Sequence, residues 1–126
     1  MRITLGNIDK SIAGPTSPTA LDQLITTQGD NKFTCHDVQA GEHIGPITLG
    51  SIGFQHSYGI RQTQKGGGAG SVTFGFCDAK GNAIGTQGKD QDGMCQVTKA
   101  QEGSTPLFWQ AKFLKAGSYT FQGGAG

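Results

Sequence analysis

The stretch that decides the fold is IGFQHSYGIRQTQ, residues 52–64. Its apolar residues, among them Phe54, Tyr58 and Ile60, share one face with His56 between them, and small or polar residues take the alternate positions. A period of two is typical of a β-strand that lays one face on a core. The stretch therefore predicts a strand of an antiparallel sheet whose other face is polar and thinly covered.

The same periodicity recurs along the chain, with turn signals between the runs. Further strands are expected at residues 2–5, 32–38, 44–49, 71–78, 95–99, 107–115 and 118–122. Pro46 lies inside its run, which indicates an edge strand or a bulge, whereas residues 83–93 are interpreted as a long polar excursion. Roughly seven or eight short strands predict an all-β fold, an antiparallel β-sandwich or a jelly-roll-like small barrel.

One short helix is expected near residues 18–27. Ser17 precedes Pro18, the order of an N-cap and a first helical residue, and Leu21 and Leu24 follow at helical spacing. The predicted organisation is an N-terminal strand or arm at residues 1–17, a single β domain at 18–122 and a Gly-rich tail at 123–126.

Composition restricts the class of partner. Charged residues make up 15% of the chain, against about 25% in typical domains, and the net charge is +1. Nucleic acids and anionic membrane surfaces require clustered cations, and the sequence has no basic run, so neither is expected as a partner. A surface of Gly, Thr and Gln with little charge favours a subunit held in an assembly or a secreted domain.

The cysteine count leaves two readings open. The chain has three cysteines, Cys35, Cys77 and Cys95, and an odd number argues against a complete disulfide framework. Cys77 and Cys95 are a candidate disulfide if their strands are neighbours. The alternative is that all are small buried thiols.

Catalytic and metal-binding patterns are weak. Cys35, His36, His43 and His56 form the one metal-like grouping, but zinc sites favour closer pairs than the seven-residue spacing of His36 and His43. Cys35 and His36 would point to opposite faces of a strand, so they could not act as a nucleophile and its base. We therefore expect no catalytic residue, metal or cofactor, and the grouping supports only an alternative, a small metal-binding protein or hydrolase.

Candidate subunit contacts come from two places. Arg2, Ile3 and Leu5 could add a strand to a neighbour's sheet. If Trp109 faces the core, Phe108 and Gln110 lie on the outer face of the same strand, where an exposed aromatic ring would suit a protein or sugar contact.

Residues 72–84 followed by 107–115 resemble the penultimate strands of chaperone–usher pilins: a strand, the sequence DAKGNAI and then an aromatic strand. The resemblance covers about a third of the chain. The N-terminal disulfide pattern of pilins is absent, and the chain stops where a pilin's last strand would run, so membership of that family is not inferred.

The expected function is that of a non-enzymatic structural subunit, above all a virion protein such as a bacteriophage head decoration, minor capsid or tail protein. Its partners would be copies of itself or other assembly proteins, and its location the assembled particle. The alternative is a secreted or cell-surface binding module, either a pilin-like subunit or a carbohydrate-binding domain.

Overall fold

The protein is a strongly curled antiparallel β-sheet, as expected for an all-β small barrel or sandwich. A computed structural model describes residues 25–27, 32–48, 54–63, 70–90, 92–102 and 107–125. The strands are β1 (Ile25–Thr27), β2 (Lys32–Val38), β3 (His43–Thr48), β4 (Ser57–Gln62), β5 (Val72–Cys77), β6 (Ala83–Lys89), β7 (Met94–Thr98), β8 (Phe108–Phe113) and β9 (Gly117–Ala125), and a short helix α1 spans Lys99–Glu102. Their order across the sheet is β1-β2-β9-β4-β7-β6-β5-β8-β3.

The sheet folds over at the junction of β6 and β7, which share a single register pair, Thr86 with Gln96. Gly85 adopts a φ of +73° at this corner, and a side chain there would meet the backbone carbonyl oxygen of Gln96. Glycine is favoured where φ is positive and a second backbone comes this close. The corner divides the sheet into two halves, one ending at β7 and the other beginning at β6.

The inner faces of the two halves share one aromatic core. The Trp109 ring on β8 lies 5.1 Å from that of Phe33 on β2 and 4.9 Å from that of Phe121 on β9. Tyr58 on β4 and Phe76 on β5 make a similar contact at 5.7 Å. These rings are fully buried, so the alternation read from the sequence identifies the core face correctly.

Strand β3 is an edge strand with a bulge, as the position of Pro46 predicts. It lies at one end of the strand order, its register shifts between Ile44 and Ile47, and the Gly45–Pro46 peptide is cis. Proline and a bulge both hinder the pairing of another strand at an edge. This edge is therefore poorly suited to strand addition.

The expected helix at residues 18–27 is wrong at its C-terminal end. Ile25–Thr27 is a strand that pairs with β2, with Thr26 opposite Thr34. Consecutive β-branched residues favour an extended backbone once a partner strand is present. Residues 18–24 of that prediction lie outside the described residues.

Two further segments extend the sheet. Residues 83–89 of the expected polar excursion form β6, whose inner positions hold Ile84, which is half-buried, and Gly88, which lies under the Phe74 ring. Residues 123–125 of the expected tail complete β9 and pair with residues 58–60 of β4. Apolar periodicity missed both because glycine replaces large side chains at the inward positions.

The alternation in β2 is interrupted near its end. Asp37, placed by the pattern on the face of Phe33 and Cys35, is exposed with a φ of +50°, and a register shift turns Val38 into the core instead. The added residue of a bulge reverses the faces that follow it.

Helix α1 is also unexpected. The Thr98 hydroxyl lies 3.3 Å from the Gln101 backbone N–H, and the Gln101 side-chain oxygen accepts from the Thr98 N–H at 2.9 Å. This reciprocal pair is a capping box, and its Thr-x-x-Gln spacing is readable in the sequence.

Candidate functional site

All three cysteines are buried and free, so Cys77 and Cys95 do not form the candidate disulfide. Cys95 belongs to the aromatic core, whereas Cys77 lies on the outer face of β5 beside Phe108. Burial raises the pKa of the Cys77 and Cys95 thiols to about 12, and burial with nearby Glu42 raises that of Cys35 further. Thiols held in the protonated form are poor nucleophiles and poor metal ligands.

The metal-like grouping does not come together. Cys35 and His36 lie on β2, His43 lies on β3 in the other half of the sheet, and His56 is exposed just before β4. Among the described residues, which include all four, no three His, Cys, Asp or Glu side chains are placed to hold a metal ion.

The outer face of β9, β4 and β7 carries a groove, here called the glycine groove, with a volume of about 260 Å³. Gly59 on β4 lies directly opposite Gly124 on β9 and forms its floor. Arg61 stands in the next row between Gln122 on β9 and Met94 on β7. The two glycines leave a gap between longer side chains, as expected from the thin polar face of residues 52–64, and the backbone is open at Gly124.

Met94 contributes the apolar part of the glycine groove. A Cβ added at Gly59 would lie 3.1 Å from the Met94 sulfur, so this side chain extends across Gly59. Met94 is 39% exposed, and Met94 and Leu114 are the large hydrophobic side chains exposed among the described residues. A flexible, exposed methionine beside bare backbone can adapt to the shape of a partner surface.

Adjacent glycines in β9 differ sharply in their surroundings. A Cβ at Gly123 would meet the hydroxyl of buried Tyr58, whereas a Cβ at Gly124 would have nothing within 4 Å. Gly123 is therefore required by the core, and Gly124 only keeps the groove open.

A second groove of about 320 Å³ lies on the outer face of the other half. Lys89 on β6, Thr73 on β5, Lys112 on β8 and His43 on β3 stand in direct register on this face, and the last three line the groove. We call these four residues the cationic row. Its sequence signal is absent, because single residues from four separated segments become neighbours only when the strands pair.

The amides of Gln87 and Gln110 border the cationic row. Gln87 lies over Gly75, and Gln110 on β8 donates its side-chain amide to the carbonyl oxygen of Gly81 at 2.9 Å. This bond fixes the Gln110 side chain at the rim of the groove.

The candidate contact residues have different outcomes. Phe108 lies on the outer face as expected, but it is only 8% exposed, so the expected exposure of its ring is wrong and its role as a subunit contact stays a prediction. Gln110 is half-buried and lines the second groove. Arg2, Ile3 and Leu5 lie outside the described residues.

In the described part of the chain, no helix has the length and apolar character needed to cross a membrane. Comparison with protein-family models, curated proteins and solved structures finds no match.

Proposed function

We propose that this protein is a non-enzymatic structural subunit of a larger assembly, with a virion as the kind of assembly and copies of itself or other assembly proteins as partners. The glycine groove carries the proposal. Gly124 presents bare backbone opposite Gly59, with the Met94 side chain across Gly59 and Arg61 in the next row, and another subunit can approach such a surface closely.

The sheet favours contact with another subunit through its outer face over strand addition at its edges. At one end of the sheet, Pro46 and the bulge hinder strand addition to β3. At the other end, the described part of β1 pairs with β2 over three residues. The glycine groove lies away from both edges, on the central strands β9, β4 and β7.

Two further observations support a structural role. The three thiols are buried with raised pKa values, which removes the obvious nucleophiles from chemistry at neutral pH. The net charge of +1 gives little electrostatic repulsion between copies.

The first test fills the glycine groove. Gly124→Tyr places a large side chain where a Cβ meets nothing, so the subunit should fold normally. Ala100→Tyr on exposed α1 adds the same side chain away from the groove and serves as the matched control. Light scattering on a sizing column should show an oligomer for the wild type and the control, and smaller species for Gly124→Tyr.

The second test identifies the assembly. Antibody labelling under the electron microscope should place the chain on particles released by the producing cells. Labelling of the cell surface alone would favour the binding-module alternative. A wild-type monomer that is also absent from particles would overturn the proposal.

A further inference from the structure

We propose that the cationic row and the groove beside it bind an acidic oligosaccharide, one whose sugar units carry carboxylate or sulfate groups. The inference does not rest on the assembly role, because it concerns the opposite half of the sheet and a site formed within one subunit.

The lysines of the cationic row are spaced along a line across the sheet. Lys89, Thr73, Lys112 and His43 occupy one row over four paired strands. Neighbouring strands are about 4.8 Å apart, so the two lysines originate about 10 Å apart with Thr73 between them. Both lysines and Thr73 are exposed and His43 is half-buried. Lys89, Thr73 and Lys112 therefore present an extended line of donors and not a single compact anion site.

The described part of the chain places few carboxylates near the lysines of the cationic row. Among the described residues, the ion pair between side chains joins Lys99 to Glu102 on α1 and involves no residue of the row. Asp90 follows Lys89, but its carboxyl is held by the backbone: hydrogen bonds from the Gly70 and Ser71 N–H groups, more than the charge of Lys89, lower its pKa, and its Oδ1 accepts the Ser71 N–H at 3.0 Å. Lys112 has no carboxylate within ion-pair distance among the described residues. A ligand carboxylate or sulfate would supply the missing charge.

The groove and the row beside it combine charged and neutral hydrogen-bonding side chains. The groove is lined by Lys112, the Thr73 hydroxyl and the amides of Gln87 and Gln110. Lys89 stands beside Thr73 in the same row. Such a mixture suits a ligand that has many hydroxyls and few charges. The groove, at about 320 Å³, lies at the lower end of the 300–1,000 Å³ range of small-molecule sites.

A nucleic acid fits this surface less well. Single strands are usually bound by exposed aromatic rings on which bases stack. The nearby rings of Phe74 and Phe108 are 2% and 8% exposed, so the described part of the groove offers no such platform. Two lysines also neutralise few phosphates.

The test measures binding by calorimetry at low salt. The probes are a galacturonic acid tetramer, which carries carboxylates, a heparin-derived tetrasaccharide, which adds sulfates, and neutral maltotetraose. We expect saturable binding of at least one acidic probe and none of maltotetraose. The two acidic probes distinguish a site for carboxylates from one that prefers sulfates.

Variants locate the site. Lys89→Gln combined with Lys112→Gln should weaken binding by about tenfold or more, because both charge-assisted contacts to the acidic ligand are lost together. Lys32→Gln removes an exposed strand lysine from the other half and should leave affinity unchanged. Gly124→Tyr should also leave it unchanged, so failure of the assembly role and failure of this site are distinguishable.

Three outcomes would overturn the proposal. Neither acidic probe binds, the Lys32 variant loses as much affinity as the double variant, or a single-stranded oligonucleotide of equal charge binds more tightly than both oligosaccharides.

Discussion

Adjacent glycines in β9 should respond in opposite directions to the same substitution. In Gly123→Ala, the new Cβ would meet the hydroxyl of Tyr58 inside the core. Overpacking of this kind costs about 1–3 kcal/mol, and the lower entropy of the unfolded chain returns about 0.4–1 kcal/mol. In Gly124→Ala, the Cβ meets nothing, so only the favourable part remains. We expect the two variants to differ in unfolding free energy by about 2 kcal/mol.

Tyr58→Phe tests whether the clash with the Tyr58 hydroxyl causes the cost of Gly123→Ala. The Tyr58 hydroxyl is buried, with no hydrogen-bond partner among the described residues. Its removal should leave stability unchanged or raise it by up to about 1 kcal/mol. In the Tyr58→Phe background, Gly123→Ala should cost less by at least about 0.5 kcal/mol, the coupling expected of residues in contact.

Urea denaturation followed by tryptophan fluorescence measures these values. Trp109 is the single tryptophan, is fully buried and contacts Phe121 on β9, so its emission reports on the strand that carries both glycines. The slope of free energy against urea should be the same for all variants, as it is when only stability changes. Equal effects of the two alanines, or an unchanged cost of Gly123→Ala in the Tyr58→Phe background, would refute this account.

Three other predictions concern the hydrogen bonds, thiols and corner of the fold. Tyr119→Phe should lower unfolding free energy by about 1 kcal/mol, because the hydroxyl donates to the Lys115 carbonyl oxygen at 2.7 Å; an unchanged denaturation midpoint would contradict this. Burial raises the pKa of Cys35 and Cys95 above the unfolded value near 9, so the stability they contribute is complete below that pH and lost as pH rises towards 12. Between its unfolded and folded pKa values, each thiol should lower the unfolding free energy by about 1.4 kcal/mol per pH unit. Urea denaturation between pH 7 and 10 should therefore show no loss of unfolding free energy below pH 8. The thiols should also react with a disulfide reagent only after unfolding. Gly85→Ala should cost at least about 2 kcal/mol in the same urea assay, because φ is +73° and the facing strand's carbonyl blocks the new Cβ, and a cost below about 0.5 kcal/mol would show that the corner relaxes.

The elements predicted from sequence were those whose signal is local. A period of two depends only on neighbouring residues, and it identified the strands around Tyr58, Phe74 and Trp109 with their buried faces. Pro46 marked an edge strand and a bulge because it lacks an N–H for the ladder. The segments at residues 25–27 and 83–89 were missed because their strands depend on partners and not on apolar periodicity of their own.

The candidate sites were mostly outside the reach of sequence reasoning. The glycines of residues 52–64 did indicate an open outer face, but the pairing of Gly59 with Gly124 requires the register of β4 and β9. The cationic row likewise requires four strands to align Lys89 with Lys112.

For this protein, the sequence by itself determined that the chain forms strands and which residues of most strands are buried, since side-chain alternation is a property of each segment alone. Only the tertiary structure decided the strand order, the fold at Gly85 and the composition of both grooves. The physical reason is that hydrogen bonding between strands sets register, and register alone brings distant side chains into one row.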